Sequence, residues 1–551
     1  MRKFKRLYGL RPTHLYLWWI LGVGWLGCSR RPPGSMQVFR YNQAEGIATL
    51  DPAFARNLAI DWATHQLFNT LIETDTALNL VPSLALRWEV SPDQRRYTFH
   101  LRPGVRFQDD PCFPGGRGRG LRASDVVYSF RRVMDPATAS PGSWIFHGRV
   151  DPDSGFRAPD DSTFVLTLAT PFRPILGVLS MEYCSIVPSE AVAFYGSSFR
   201  RHPVGTGPFR IENWDEGQAL ILVRNAHYFE RDDTGRALPY LDAVKVTFLN
   251  SKATEFLEFL QGQLDMVNDI DPAYKDEVLT RQGTLRPEWT GKIVLSRHAQ
   301  LDMEYLGILV DTASALVKAS PLRLLAIRQA VNLAFDRRKM LLYLRNGVGI
   351  PAESGFIPAA MPVFDANRVK GYTYDLERAS RLLAEAGFPG GRGMPVIHLL
   401  TIPAYADLAS FIARQEEEVG IRLQVEVVQK SLLLEETAKS QALFFRGSWV
   451  ADYPDAENFL SVFYSKNPAP PNYTRFHSTA FDALYEQALS EQDPARRKTL
   501  DNRMDSLVMA AAPVVPLWYD EALRLVRPGV GGLYANGLNL LELRRCYFLT
   551  P

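Results

Sequence analysis

An α/β fold is predicted by three observations on this 551-residue chain. Short runs rich in β-branched and aromatic residues recur along it, segments with apolar residues at helical spacing lie between them, and no repeat of fixed period is visible. A composition of 46% hydrophobic and 22% charged residues suits two or three domains that each bury a core.

In chain order, the strand signals are YTFHL (97–101), TFVLTL (163–168), ALILV (219–223), VKVTFL (244–249) and RLQVEVV (422–428), each bounded by Gly, Pro or Asn. The clearest helix spans Pro321 to Arg345. Leu324, Ile327, Val331, Ala334 and Phe335 form its apolar stripe, and Arg323, Arg328, Arg337 and Arg338 decorate the rest. Asp375 reads as the N-cap of DLERASRLLAEAG, with Gly387 as its stop, and 480–511 is a third helical region. The biased loop PGGRGRG (114–120) is a solvated connector that leads into a helix capped by Ser124.

The N-terminus reads as a secretory signal. Arg2, Lys3, Lys5, Arg6 and Arg11 precede an apolar run from Leu15 to Leu26, shorter than the roughly 20 residues of a membrane span. No acidic residue precedes Cys28, so the formal charge of +2 becomes a small acidic excess in the remainder. That balance offers no footprint for nucleic acid or an anionic membrane surface. Trp25-Leu26-Gly27-Cys28 resembles a bacterial lipobox, which implies acylation of Cys28, although Trp25 departs from the usual aliphatic residue. Ser29 to Ser35 reads as a tether.

Catalytic motifs are missing. The nine histidines include no HExxH and no pair at a spacing of three to five, which excludes a zinc site built on one helix. There is no GxSxG. The GTG at 205–207 lacks the glycine a dinucleotide fingerprint needs, and GGRGRG lacks the Lys-Ser/Thr of a phosphate loop. Asp452 and Asp455 are neighbours on one loop, whereas a glycosidase needs carboxyls converging from opposite sides of a bond. A hydrolase is therefore disfavoured.

Read in order, the segments TLDP (49–52), LVPSLALRWEVSPDQRRYTFHLRPGVRF (80–107), ASDVVYSFRRVMDPATASP (123–141), PVGTGPFRI (203–211), RNAHYF (224–229), GQLDM (262–266), RQAVNLAFDR (328–337), WVADYPDAENFL (449–460), FDALYEQAL (481–489) and APVVPLWY (512–519) resemble the extracytoplasmic solute-binding proteins of family 5. These are the dipeptide and oligopeptide receptors of ABC transporters. The resemblance implies a bilobal periplasmic-binding-protein-like clamp of type II with an extra small domain, whose lobes are joined by two crossings near residues 296–302 and 514–520 and close by a hinge motion. The implied domains are a lipoprotein signal peptide (1–27), a tether (28–36), lobe I (37–74, 190–298 and 516–551), an extra subdomain (75–189) and lobe II (299–515). Three cysteines besides Cys28 allow one disulfide in three pairings. Cys112 with Cys184 is favoured because both fall in the proposed subdomain, and free buried thiols are the alternative.

A receptor for varied peptides reads their shared ends. The resemblance implies that Asp452 accepts the α-ammonium, that Trp449 lines the pocket, and that Arg446 pairs with a carboxylate at the far end of a long peptide. Asp455 and Glu457 read instead as a helix N-terminal pair. Gly205 and Gly207 are expected to be structural, for their backbone angles at a tight crossing. One departure stands out: after Ala139-Ser140-Pro141 some oligopeptide binders place an aromatic that touches the ligand, and here Gly142 follows, with Trp144 two further on. The implied function is a monomeric, lipid-anchored receptor that hands peptides to a permease, without cofactor or metal. The alternatives are another solute (a nickel chelate, opine, oligosaccharide or haem) and a peptide-sensing or chaperone role without transport.

Overall fold

The computed structural model describes residues 36–549 apart from 152 and 271–273. The signal, the tether up to residue 35 and Cys28 lie outside the described residues. No helix among the described residues is long and apolar enough to cross a membrane.

All five sequence-predicted strands form, with ends within about two residues of expectation. Eleven strands make one mixed sheet. From one edge its order runs Leu423–Val427, Ile397–Thr401, Phe444–Val450, Val294–Ile308, Val514–Val526, Met266–Asn268, Val38–Asn42, Ala243–Thr247, Ala219–Arg224 and Phe209–Asp215, with Ile350–Pro351 added beside Val514–Val526. A separate four-stranded antiparallel sheet orders Ala85–Val90, Arg96–Leu101, Thr163–Thr167 and Phe156–Asp160. The helix Ala123–Met134 buries Phe130 against Phe156 and Phe164 of that sheet, at ring-centroid distances of 5.7 and 5.5 Å. Each fully buried phenylalanine contributes about 1.5–3 kcal/mol.

Two long strands, Val294–Ile308 and Val514–Val526, are common to both halves of the molecule. They pair antiparallel, Val294 with Val526 through Ala299 with Glu521, and again Met303 with Tyr519 through Gly307 with Val514; the register shifts between the two stretches. A second irregularity falls beside Pro516, which has no N–H to give the ladder. On one side of the break, Phe39, Trp62, Leu222 and Leu541 belong to a core that also takes in the four-stranded sheet. On the other, the main sheet buries Leu306 and Ile308 on one face and Met303 and Tyr305 on the opposite face.

The Pro321–Arg345 helix differs from expectation. It is a single turn, Pro321–Arg323, followed by two helices, Leu325–Leu333 and Arg337–Leu344, because the Asp336 carboxylate accepts the Lys339 N–H and starts a new helix. Arg337 does not decorate a surface. It is buried, and its guanidinium donates to the carbonyls of Asn332 at 2.9 Å and Pro516 at 2.6 Å. Burial lowers its pKa to about 10. Asp375 caps Leu376–Glu385 as expected, and the 480–511 region is two helices, Thr479–Ala488 and Pro494–Ala511.

The favoured disulfide is absent: Cys112, Cys184 and Cys546 are all free. Cys184 turns into the core, its thiol directed at the Val178 carbonyl, while Cys112 sits in a loop where its N–H donates to Asp110. Gly205 and Gly207 are structural for a different reason than backbone angle. A Cβ on either would lie 2.1 or 2.4 Å from the backbone of Leu67, so the close approach to the end of helix Leu58–Leu67 requires glycine.

Candidate functional site

The strand Phe444–Val450 carries Arg446 and Trp449 and delivers the chain to Asp452, ahead of the short helix Ala456–Leu460. The Asp455 carboxylate caps that helix by accepting the Glu457 N–H at 2.8 Å, as expected, and also binds Arg497 at 2.7 Å. Glu457 is buried and accepts hydrogen bonds from the hydroxyls of Tyr453 and Tyr485.

Asp452 and Trp449 are brought together by a residue the sequence reading did not single out. Asn458, buried, accepts the Trp449 indole N–H at 2.8 Å, and its side chain also hydrogen-bonds the Asp452 carboxylate. Trp449 is half-buried, packed against the core that holds Met303, with its indole N–H fixed by Asn458. Asp452 is exposed, yet burial raises its pKa, with the Asn458 hydrogen bond opposing. The two fit together if water reaches the carboxylate on one side while protein surrounds it on the others.

The charge of Asp452 acts on two residues of the other half of the molecule, Asp61 and Tyr183. Asp61, in the first turn of helix Leu58–Leu67, is half-buried, and its carboxyl is pushed up to about 8, first by burial, then by the charges of Glu182 and Asp452, with His65 opposing. His65 holds Glu182 at 2.8 Å and Glu542 at 3.3 Å, and these carboxylates keep it charged well above its ordinary range despite burial. Tyr183 feels both Asp61 and Asp452, which add to burial in raising its phenol. Its ring lies where a Cβ on Gly142 would be, 2.4 Å away. The space a side chain at 142 would take is thus filled by a ring from 41 positions along the chain, and that ring needs glycine at 142. Beside it, Trp144 packs against Tyr453 at 6.5 Å, which ties the four-stranded-sheet region to the segment carrying Asp452.

His65 and Glu182 also border a cleft of 780 Å³ that runs past Asn69, Glu73, Arg102 and Arg544. Its volume suits a ligand of several residues.

Arg446 is not brought to Asp452. Its guanidinium binds both oxygens of Glu304, at 2.7 and 2.6 Å, and lies over the Tyr405 ring at 3.9 Å. The fork expected to await a ligand carboxylate is engaged by a protein carboxylate on the adjacent strand. Glu304, Asp302 and Asp520 together place carboxylate oxygens within 4.8 Å of one another, the arrangement among the described residues with metal-ligand geometry. Arg446 on Glu304 and Arg345 on Asp520, the latter at 2.7 Å, supply two positive charges there, so the donor set suits an internal ion network better than a cation.

Asp61 at near-neutral pH is a source of instability. In the unfolded chain it ionises near its ordinary value of 3.8, whereas the folded chain holds its proton to about 8. The folded state therefore binds more protons between those values, and the stability of the empty protein falls as pH rises through that window. Asp61→Asn removes the titration. Its melting-temperature gain over the parent should be near zero at pH 4 and largest at pH 8; a variant melting below the parent at pH 8 would contradict this account. Groups tuned away from their ordinary values at the expense of stability cluster at functional sites.

Residues 79–471 match the model of the bacterial extracellular solute-binding proteins, family 5 Middle. Heme-binding protein A of Haemophilus influenzae is 27% identical over 518 residues, 90% of each chain. The dipeptide-binding protein of Escherichia coli is 26% identical over 505 residues, 88% of this chain and 89% of that one. Among solved structures, HbpA2 from Haemophilus parasuis superposes with a TM-score of 0.81 at 22% identity, covering 93% of this chain and 99% of the other. DppA from Helicobacter pylori in complex with the peptide STSA gives 0.72 at 26% identity, covering 93% and 98%. These likenesses make the fold the two-lobed α/β clamp of periplasmic binding proteins, and the relatives named here are binding proteins. The matched stretch exceeds half the sequence, and the chain belongs to the bacterial extracellular solute-binding proteins of family 5.

Proposed function

We propose that this protein is a receptor that takes peptides by their α-ammonium group at Asp452 and delivers them to an ABC transporter permease, held to the membrane by a lipid on Cys28. The lobes close about the crossings near 296–302 and 514–520, and enclosure strengthens the charge pair by removing water. The observation that supports this is the Asp452 carboxylate itself: it is exposed to solvent, forms no ion pair among the described residues, and has the Asn458 side chain as a hydrogen-bond partner. Trp449, locked by Asn458, offers a flat apolar wall for the first residue of the peptide. Arg446 is not required by this reading, because Glu304 already neutralises it.

The relatives named for haem and for deoxycholate raise a second class of ligand. Both molecules carry carboxylates, which would meet the solvent-exposed Asp452 as a like charge, so the charge at Asp452 favours an amine.

Titration calorimetry with tri-alanine and its N-acetylated form tests the reading. Acetylation removes the charge while keeping the backbone and should weaken binding by roughly 100-fold, the low end for breaking a buried ion pair. Equal affinities for the two would defeat it.

A further inference from the structure

A cavity of 640 Å³ opens past the end of the strand Val294–Ile308, and Val310, Asp311, Arg328, Asn467, Arg475 and His477 all line it. It is remote from Asp452. On that strand Asp302 pairs with Val450, just ahead of Asp452, and Val310 follows eight residues later, roughly 25 Å at the rise of an extended chain. The segment 472–477 is seated there by the Val310 N–H, which donates to the Thr474 carbonyl at 2.9 Å. Neither guanidinium in the lining meets a carboxylate among the described residues. Arg328 donates to the carbonyls of Ala511 and Leu322, each at 2.9 Å, and Arg475 donates from Nε to the Ser440 hydroxyl at 2.8 Å and from Nη2 to the Ala438 carbonyl at 3.1 Å. Ala511 and Ala438 end the helices Pro494–Ala511 and Lys430–Ala438, so both arginines are held in place by carbonyls that carry only partial negative charge. Burial lowers the pKa of Arg328, as expected of a cation without a full counter-charge. Nη1 of Arg475 has no hydrogen-bond partner among the described residues. The one acid in the lining is Asp311, whose Oδ1 accepts the Ala313 N–H at 2.9 Å, so the formal charge around the cavity is positive.

We propose that this cavity is an oxyanion site, separate from the peptide site, and that its ligand is a phosphate monoester held between Arg328 and Arg475. A carboxylate has both oxygens in one plane and is satisfied by a single arginine fork. A phosphate monoester carries up to two negative charges and offers three terminal oxygens, which suits donors arriving from two elements. Here Arg328 comes from the helix Leu325–Leu333 and Arg475 from the loop seated on Val310. The cavity is larger than a bare phosphate needs, so the ester carries an organic part, which Asn467 and His477 border. No residue is shared with the peptide reading, and neither conclusion depends on the other.

The test is calorimetric titration of the full-length protein, at neutral pH and low salt, with inorganic phosphate, glycerol 3-phosphate and acetate. Both phosphates should bind, and acetate should bind about tenfold more weakly than glycerol 3-phosphate. Arg475→Gln removes one charge and its free N–H groups, and should weaken glycerol 3-phosphate binding by about tenfold or more. Asp311→Asn keeps the acceptor for the Ala313 N–H and removes the like charge, so it should tighten binding by about threefold. These opposite signs are not expected of two structural residues, and Asp311→Asn decides the matter alone where Arg475→Gln fails to fold. Dibutyryl phosphatidic acid binding more tightly than glycerol 3-phosphate assigns the ester to a lipid headgroup, and the reverse order assigns it to a soluble molecule; either supports the site. No binding of either phosphate, acetate binding as tightly as they do, a folded Arg475→Gln with unchanged affinity, or an Asp311→Asn that fails to tighten binding overturns the proposal.

Discussion

Asp452→Asn should weaken peptide binding by about 3 kcal/mol, roughly 100-fold in Kd. The figure is taken at the low end for a broken buried pair because Asp452 keeps contact with water in the open cleft. Asparagine preserves the shape and the reach to Asn458, so the change isolates charge. The fold should not suffer. Asp452 bears no ion pair among the described residues, and burial already disfavours its ionised form, so the variant should melt no lower than the parent at neutral pH. A double-mutant cycle sharpens the result: N-acetylated peptide should bind the parent and Asp452→Asn about equally, because each change removes the same interaction. Asp452→Asn binding free tri-alanine as tightly as the parent, or acetylation and substitution acting additively, would show that the ammonium sits elsewhere.

The legible parts of this protein are those fixed by local chemistry. Alternation of β-branched and aromatic residues marks the strands, and the cap at Asp375 follows from a side chain bonding a backbone N–H three residues on. Asp455 was legible as part of a helix N-terminal pair, and its carboxylate accepts the N–H two residues on. Arg446 shows what local reading misses: its partner Glu304 lies 142 positions away and meets it only because two strands pair antiparallel with Leu306 opposite Arg446. Asn458 falls on the first short helix after the acidic loop, where its burial is set by tertiary packing. For Asp61 a signal existed, a charge in the otherwise apolar run LAIDWA (58–63), but its shift depends on burial and on the charges of Glu182 and Asp452, which are far away in the sequence. The departure at Gly142 was visible; that Tyr183 fills the space was not.

Arg544 carries the charge balance of the 780 Å³ cleft that His65 and Glu182 border. Its guanidinium binds Glu73 at 2.6 Å, Glu542 at 2.7 Å and Glu230 at 2.9 Å, with Tyr228 at 3.2 Å, and only 14% of the side chain is exposed. Arg544→Met keeps the stem and strands three carboxylates, with His65 left to share Glu542 and Glu182. The loss should be about 3–5 kcal/mol of unfolding free energy at pH 7, read from urea denaturation. Its pH dependence has a definite sign. Despite burial, Arg544 and His65 hold Glu542 down at about 2, below its ordinary 4.5, and Arg544 lowers Glu73 as well. The stabilisation is therefore full above about pH 4.5 and is lost as pH falls toward 2, so the deficit of Arg544→Met should narrow on acidification. Adding Glu542→Gln to the variant should restore part of the stability at pH 7, because it removes one of the carboxylates left unpaired. A variant within about 1 kcal/mol of the parent at pH 7, or a deficit that widens in acid, would mean that water already carries these charges and that the network is a surface feature.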